Sequence, residues 1–156
     1  MIPPDLNLRA LIFVLNRFPK SKLLIVDDDK NLLLGLKRSL KKEDYLVEVA
    51  TDGEDALSKI DDFEPDVIIL DLKMPYMAGT TFLKMIKQFY PAIEVIILTG
   101  STDFNSYTEC QDNGAFSWVT KPLNIDSLIL KINSAMALVS IKKEAKSKGQ
   151  NFRGRH

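Results

Sequence analysis

The sequence predicts an α/β fold with a five-stranded parallel sheet, and three observations carry that prediction. Short apolar runs rich in valine and isoleucine recur from residue 22 onward, which is how strands buried on both faces look in sequence. Stretches of helical periodicity separate these runs, as expected of repeated βαβ units. The length of 156 residues suits one domain with a single sizeable core.

The first half of the chain predicts two strands, each followed by a helix. The first strand is the run Leu23–Val26, and its helix reaches about Glu43. Residues 45–51 alternate in the manner of a half-buried strand, and a short helix over residues 54–60 follows, ended by Pro65. The inward residues predicted for these two helices are Leu33, Leu36, Leu40, Ala56, Leu57 and Ile60.

The second half predicts three more pairs of a strand and a helix. The strands are residues 67–70, 93–98 and 118–120. A helix that ends at Pro91 follows the first of them, and a weaker helix over residues 103–113, which has few apolar residues, follows the second. The inward residues predicted for the helix before Pro91 are Phe82, Leu83, Ile86 and Phe89.

The last helix is predicted to be long. Asn124 can cap it, and Gly149 is expected to end it after about Lys148, which leaves residues 151–156 as a loose basic tail. Its inward stripe is Ile125, Leu128, Ile129, Ile132, Met136 and Val139. A second apolar stripe, which cannot face the same core, consists of Leu130, Ala137, Leu138 and Ile141. With right-handed crossovers, these elements favour a doubly wound, flavodoxin-like (βα)5 topology with strand order 2-1-3-4-5.

Five polar residues stand at or near the downstream ends of the predicted strands. They are Asp27, Asp28, Asp71, Thr99 and Lys121. Ligand sites in open parallel sheets lie outside the carboxyl ends of the strands, so these side chains are expected to converge in one crevice. Each of them alone has an ordinary role, as a turn, a cap or a solvated residue. The prediction depends on all five falling at strand ends.

The chemistry of this set indicates a divalent cation and a phosphoryl group. Mg²⁺ (or Mn²⁺) is suited to a site of one or two carboxylates completed by water and phosphate oxygens. Asp71 is the best candidate for a nucleophile, because a carboxylate can form an acyl phosphate. Lys121 can pair with the transferred oxygens, and the hydroxyl of Thr99 can hydrogen-bond to one of them.

Composition argues against several other classes of function. Lysine plus arginine and aspartate plus glutamate number 21 each, so net charge gives no attraction to nucleic acid or to a membrane. The single cysteine, Cys110, and the single histidine, His156, argue against an internal disulfide, a zinc site and histidine-assisted nucleophilic catalysis. No apolar stretch approaches the roughly 20 residues of a membrane span. A soluble, cytoplasmic protein is expected.

Four runs of residues at these positions resemble the receiver domain of two-component response regulators. They are Val26–Asp29, Asp71–Pro75 with Gly79, Leu98–Gly100 and Val119–Pro122. The resemblance covers about Ser21 to Glu144 in the family's order, and Asp52–Leu57 is a further, weaker match. Trp118 stands where the family usually has Tyr or Phe, and Gly100 stands where Ala is common.

The resemblance implies how the carboxylates act. Asp71 would accept a phosphoryl group from the phosphohistidine of a sensor histidine kinase or of a histidine phosphotransfer protein. Asp28, Asp71 and the main-chain carbonyl of Lys73 would bind Mg²⁺, and Asp27 would act through water.

The same resemblance implies a switch and a control of phosphoryl lifetime. Thr99 and Lys121 would contact the phosphoryl group, and Trp118 would be the aromatic residue that moves between exposed and buried rotamers. Lys73 and Ser101 match positions that flank the path of attacking water. A long cation at Lys73 and the lack of a carboxylate at Ser101 predict slow self-dephosphorylation.

Three other functions are weighed against this one. A haloacid-dehalogenase-type phosphatase also uses an aspartate nucleophile, but it carries a second aspartate two residues later, where this chain has Lys73. A flavodoxin requires a phosphate loop rich in hydroxyls and glycine after the first strand, where residues 27–29 are acidic. A receiver that binds partners without being phosphorylated is weakened because every acceptor-site residue is present.

The predicted organisation is an N-terminal extension (residues 1–20), a receiver domain (residues 21–145) and a C-terminal tail (residues 146–156). An amphipathic helix is plausible over about residues 5–18. The tail is too short for a DNA-binding domain, so no direct nucleic-acid binding is expected, and the chain is either a stand-alone receiver or a fragment of a longer regulator. The second stripe of the last helix favours a homodimer through the face made by the fourth helix, fifth strand and fifth helix, or a helical linker.

Overall fold

The computed structural model describes residues 7–9, 20–74, 77–100 and 104–153. Five strands and five helices alternate within the described part from residue 20 onward. The strands are β1 (Lys22–Val26), β2 (Leu46–Ala50), β3 (Val67–Asp71), β4 (Glu94–Thr99) and β5 (Ser117–Thr120). The helices are α1 (Lys30–Lys41), α2 (Gly53–Phe63), α3 (Gly79–Phe89), α4 (Phe104–Asp112) and α5 (Ile125–Arg153).

The strands form one parallel sheet in the order β2-β1-β3-β4-β5. This confirms the predicted flavodoxin-like topology. The register sets Asp71 opposite Leu98 and Thr99 opposite Thr120. Because all strands run in the same direction, the polar residues that follow them lie along one edge of the sheet.

Helices cover both faces of the sheet, so the central strands are buried on both sides. On one face, α1 and α5 pack through Leu33, Leu36, Leu40, Leu128 and Ile132 against alternate residues of the strands. On the other face, α2, α3 and α4 pack through Ala56, Ile60, Phe82, Ile86 and Cys110. The two layers fix the sheet and therefore the edge that carries the polar residues.

Three helices begin at side chains that cap them. Asp29 accepts hydrogen bonds from the amides of Asn31 and Leu32 at the start of α1. Asp52 accepts from the amide of Asp55 at the start of α2. Asn124 accepts from the amide of Ser127 at the start of α5, which confirms the predicted cap. Each cap satisfies a backbone donor that the helix itself leaves without a partner.

The inward face of α3 differs from the prediction at its last residue. Phe82, Leu83 and Ile86 are buried, but the side chain of Phe89 is 65% exposed. Tyr90, four residues after Ile86, takes the next core position, and its amide bonds to the carbonyl of Ile86. The prediction for Phe89 was wrong because spacings of three and four residues are both helical, and only packing chooses between them.

The last helix is longer than predicted. α5 continues through Gly149 to Arg153, so the expected stop at Gly149 was wrong, and residues 151–153 are helical where a loose tail was predicted. A glycine inside a helix costs about 1 kcal/mol relative to alanine but does not forbid helical geometry. Residues 140–149 are exposed. Ala135, which is fully buried, belongs to the inward stripe although the sequence prediction omitted it.

The N-terminal prediction falls mostly outside the described residues. Of the proposed amphipathic helix, only residues 7–9 are described; Leu8 and Arg9 are helical, and Leu8 is exposed. Among the residues that the structure describes, no helix combines the length and the apolar composition needed to cross a membrane.

Candidate functional site

The five polar residues predicted at the strand ends meet at one edge of the sheet. Asp27 and Asp28 follow β1, Asp71 closes β3, Thr99 closes β4, and Lys121 follows β5. The ammonium of Lys121 lies 3.0 Å from Oδ2 of Asp27 and 3.5 Å from Oδ2 of Asp71. The side chain of Lys121 therefore links the ends of three strands, as the sequence predicted for the crevice.

Asp27 is fixed by contacts to both of its carboxylate oxygens. Its Oδ1 accepts a hydrogen bond of 2.9 Å from the amide of Asp29, and its Oδ2 faces Lys121. The residue is fully buried, and a buried carboxylate requires such partners. Asp29 in turn caps α1, so the first helix holds the acidic loop in place. The sequence showed the three consecutive aspartates but not that the third one is a helix cap.

Asp71 lies at the centre of the site and is only 4% exposed. Its Oδ1 accepts a hydrogen bond of 3.1 Å from the amide of Lys73. Burial raises the pKa of the Asp71 carboxyl, and the nearby charge of Asp27 adds to the rise, whereas the Lys73 amide and Lys121 oppose it. The carboxylate is thus disfavoured by its surroundings, and an added cation beside it would relieve that cost.

Gly79 allows the loop after β3 to close tightly against the backbone of Asp71 and Leu72. A Cβ at Gly79 would lie 2.5 Å from Cα of Leu72 and 2.8 Å from the carbonyl oxygen of Asp71. The Gly79 amide also donates a hydrogen bond of 3.1 Å to the carbonyl of Leu72. The sequence predicted a loop bounded by Gly79, and the structure gives the physical reason that only glycine fits there.

Lys121 is held by its backbone as well as by its ion pairs. Its amide donates a hydrogen bond of 2.8 Å to the carbonyl of Thr99, and a cis peptide bond joins it to Pro122. Burial acts to lower the pKa of Lys121, but the hydrogen bond to Asp27 and the charges of Asp71 and Asp27 outweigh it and raise this pKa above its usual value. The side chain is therefore a fixed positive charge beside the carboxylates.

Trp118 lies on β5 and packs against α4. Its indole meets the ring of Tyr107 edge to face, with the ring centroids 5.1 Å apart and the planes at 70°. Its carbonyl accepts a hydrogen bond from the ammonium of Lys131 on α5. Trp118 is partly buried, whereas Thr99, two strand positions away on β4, is fully buried. The contacts to Tyr107 and Lys131 had no signal in the sequence.

Lys73 and Ser101 were the two residues predicted to affect the lifetime of a phosphoryl group. Lys73 is exposed, and its amide donates a hydrogen bond to the carboxylate of Asp71. Ser101 lies outside the described residues.

The donor set suits a hard divalent cation. Asp27, Asp28 and Asp71 each offer a carboxylate oxygen, and these oxygens lie within 4.8 Å of one another. Asp28 is exposed, while Asp27 and Asp71 are buried, so the group opens to solvent on one side. Carboxylates combined with open positions for water and phosphate oxygens are what Mg²⁺ prefers. These residues could hold such an ion.

The comparisons with known proteins agree with this arrangement. A family model described as the response regulator receiver domain matches residues 23–133. The chain is 33% identical over 117 residues to the DNA-binding transcriptional regulator NtrC of Proteus hauseri, an alignment that covers 75% of this chain and 25% of that protein. It is 28% identical over 131 residues to response regulator MprA of Mycobacterium avium, covering 84% of this chain and 58% of that protein. The chain thus spans only part of the curated relatives that it matches.

Solved structures show the same fold. A receiver domain protein (CheY-like) from Methanospirillum hungatei JF-1 matches with a TM-score of 0.76 and 29% identity, covering 80% of this chain and 99% of that one. Chemotaxis response regulator CheY4 of Vibrio cholerae matches with a TM-score of 0.70 and 32% identity, covering 75% and 99%. Together with the family match over most of the chain, these similarities show that the protein belongs to the response regulator receiver domain family.

Proposed function

We propose that this chain is a phosphoacceptor that takes a phosphoryl group onto Asp71 from a histidine kinase or a histidine phosphotransfer protein. The observation that carries the proposal is the position of Asp71, a buried carboxylate with Lys121 at 3.5 Å and two further carboxylates in the same crevice. Membership of the receiver family supports a phosphohistidine-carrying protein as the donor of the phosphoryl group. The chain would act as an acceptor in signalling rather than as an enzyme with a turnover of its own, and we expect it to do so in the cytoplasm.

The transfer requires little covalent chemistry from the protein. A carboxylate oxygen of Asp71 forms a bond to phosphorus while the bond between phosphorus and the donor nitrogen breaks. Lys121 neutralises negative charge on the transferred oxygens, and the pairing of Lys121 with Asp27 keeps its ammonium in the crevice. Positioning and charge neutralisation are the main contributions to such reactions.

Asp27, Asp28, Asp71 and the main-chain carbonyl of Lys73 are the groups that would hold Mg²⁺ (or Mn²⁺). Such an ion, when bound, supplies positive charge that offsets the carboxylates and the incoming phosphoryl oxygens. Asp71 and Asp28 are the proposed direct ligands, and Asp27 is proposed to act through water, as the resemblance to receiver domains implies.

The modified chain would signal through Thr99 and Trp118. An acyl phosphate adds about −1.5 to −2 charge at Asp71. The hydroxyl of Thr99 would turn toward it, and Trp118 would move into the space that this frees, breaking its present contact with Tyr107 on α4. A local change of charge would in this way change the packing of α4.

Two residues are proposed to set the lifetime of the phosphoryl group. The exposed side chain of Lys73 can cover the phosphoryl oxygens, and Ser101 offers no carboxylate to orient an attacking water. The Lys73→Asn variant should therefore lose its phosphoryl group faster than the unaltered chain. An unchanged or slower decay would exclude this role for Lys73.

We also propose that the chain forms a weak homodimer through α4, β5 and α5. Leu130 and Ile141 of α5 are 69% and 62% exposed, which leaves two large apolar side chains for a second copy. Sedimentation with and without beryllofluoride should show a dimer that tightens on modification, and a monomer in both states would contradict it. We further propose that this chain does not itself contact nucleic acid.

The phosphoacceptor proposal is tested by labelling. With Mg²⁺ and acetyl phosphate, the unaltered chain should gain the mass of one phosphoryl group, and Asp71→Asn should gain none. Asp62→Asn, an exposed position on α2, is the matched control and should label normally. Labelling of Asp71→Asn would refute the assignment, and no labelling of any variant would favour a receiver that works without phosphorylation.

A further inference from the structure

The C-terminal part of α5 is attached to the domain mainly by ion pairs. Residues 140–149 are all exposed. Lys142 reaches Oε1 of Glu94 at 2.6 Å, and Lys143 reaches Oδ1 of Asp66 at 2.8 Å. A groove of about 960 Å³ lies between this part of the helix and the loop at Pro91, so apolar packing does not fill the space beneath it. We call residues 140–149 the α5 extension.

Glu94 is the buried partner in this attachment. It opens β4 at the edge of the sheet opposite the phosphoacceptor site, and it is 3% exposed. A carboxylate so deeply buried needs compensating cations. Besides Lys142 at one oxygen, it has the ammonium of Lys87 at 3.9 Å from the other. Two lysines from different helices thus share one buried carboxylate.

Lys87 connects this carboxylate to the turn between α4 and β5. Its ammonium donates to the carbonyls of Pro91 at 3.2 Å and Ile93 at 2.9 Å. Its aliphatic stem lies under Gly114, where an added Cβ would be 3.3 Å from both Cγ and Cε of Lys87. Gly114 has a φ of 91° and joins α4 to β5. A shift of that turn would therefore press on the stem of Lys87 or release it.

We propose that Glu94 couples the α5 extension to the α4–β5 turn, because Lys142 and Lys87 repel each other while each pairs with a different oxygen of its buried carboxylate. When Lys87 moves away from Glu94, its repulsion of Lys142 weakens. Lys142 then binds Glu94 more strongly and holds the α5 extension more tightly against the domain. A closer approach of Lys87 weakens the hold of Lys142. The same three residues carry the influence in the opposite direction, since coupling between two sites is reciprocal.

The charges around Lys87 agree with this repulsion. Burial lowers the pKa of Lys87, the carboxylate of Glu94 opposes that effect, and the positive charge of Lys142 lowers this pKa further. The two ammonium groups therefore repel each other while both are attracted to Glu94. The link from this network to phosphorylation of Asp71 rests on the proposed function, because α4 is the helix expected to move.

Amide hydrogen exchange of the full chain tests the resting network. In Lys142→Met, exchange across residues 140–149 should rise by roughly two- to fivefold, the order expected when an ion pair with a half-exposed lysine is lost. In Lys87→Met, exchange of the same residues should fall, because the ammonium of Lys142 then pairs with Glu94 without repulsion from a second ammonium. Lys148→Met is the control, since the ion pair of Lys148 within the described residues runs along the exposed helix, to Glu144 at 3.4 Å, and the change should leave exchange before residue 144 unaltered.

The outcomes separate this inference from the phosphoacceptor proposal. If Lys87→Met leaves the extension unchanged or loosens it, the coupling is refuted, whatever happens at Asp71. Beryllofluoride with Mg²⁺ should change amide exchange in residues 140–149 of the unaltered chain but not in the Glu94→Gln variant. Fluorescence of Trp118 reports in both whether beryllofluoride occupies the crevice at Asp71. A fluorescence change without a change in the extension would overturn the coupling and leave the phosphoacceptor proposal standing.

Discussion

The ring of Tyr107 meets the indole of Trp118 edge to face, with the centroids 5.1 Å apart. This contact joins α4 to β5, the strand that precedes Lys121. Aromatic pairs in this geometry contribute about 0.5–1.5 kcal/mol beyond the burial of their area. The pair therefore holds Trp118 in its present position and would oppose the movement toward Thr99 that we propose.

Removing that contact should make the proposed movement of Trp118 easier. Tyr107→Leu is expected to increase the apparent affinity for beryllofluoride by about three- to tenfold, because the modified state no longer has to break the aromatic pair. Fluorescence of Trp118, the only tryptophan of the chain, measures both occupation and affinity. Tyr45→Leu, on the far side of the sheet, is the control. A weaker affinity in Tyr107→Leu would show that the contact supports the modified state instead.

Gly79→Ala should destabilise the fold and distort the loop that follows β3. The added methyl would meet backbone atoms of Asp71 and Leu72, which cannot give way as a flexible side chain can. Overpacking of this kind costs typically about 1–3 kcal/mol. Gly35→Ala is the matched control, because nothing lies within 4 Å of an added Cβ there, and in mid-helix it should stabilise by about 1 kcal/mol. Thermal unfolding measures both, and an unaffected Gly79→Ala would contradict the close approach.

Asp71→Asn should be more stable than the unaltered chain at neutral pH. Burial raises the pKa of the Asp71 carboxyl, so its ionised form opposes folding. The favourable contribution of a raised pKa is present below the usual carboxyl range and is lost as pH rises through the folded value. The stability difference between variant and parent should therefore be largest near neutral pH and shrink on acidification. Each kcal/mol gained corresponds to about 2–4 °C in Tm for a chain of this size.

Cys110 should react slowly with thiol reagents in the folded chain. Burial, and secondarily the charge of Glu109, raise the pKa of this thiol, which is 1% exposed on α4. The thiolate is the reactive form, so labelling at mildly alkaline pH should follow the opening of α4. Beryllofluoride should change that labelling rate if α4 repacks. Labelling as fast as in the unfolded chain would contradict the burial of Cys110.

Much of the fold and most of the site followed from local patterns. The buried strands are short apolar runs, and Asp71, Thr99 and Lys121 stand at the downstream ends of three of them, so parallel topology alone brings these residues together. The resemblance to receivers then gave each residue an expected function. These features depend on the order of the elements along the chain and on the direction of the strands, and both can be predicted from local sequence patterns.

What could not be predicted depends on contacts between residues far apart in sequence. The burial of Glu94 depends on Lys142, 48 residues later, and the position of Trp118 depends on Tyr107 and Lys131. A charged residue at the start of a strand is expected to face solvent unless a distant partner is known. In the same way, only packing decided that Tyr90, and not Phe89, completes the core face of α3.

The identity of the phosphorylated residue is the most direct test of the proposed function. The chain is treated with acetyl phosphate and Mg²⁺, reduced with borohydride, which converts an aspartyl phosphate to homoserine, and mapped by peptide mass spectrometry. The account predicts homoserine at position 71 and at no other aspartate. Homoserine at another position, or phosphate retained on Ser101 or Thr102, would contradict it.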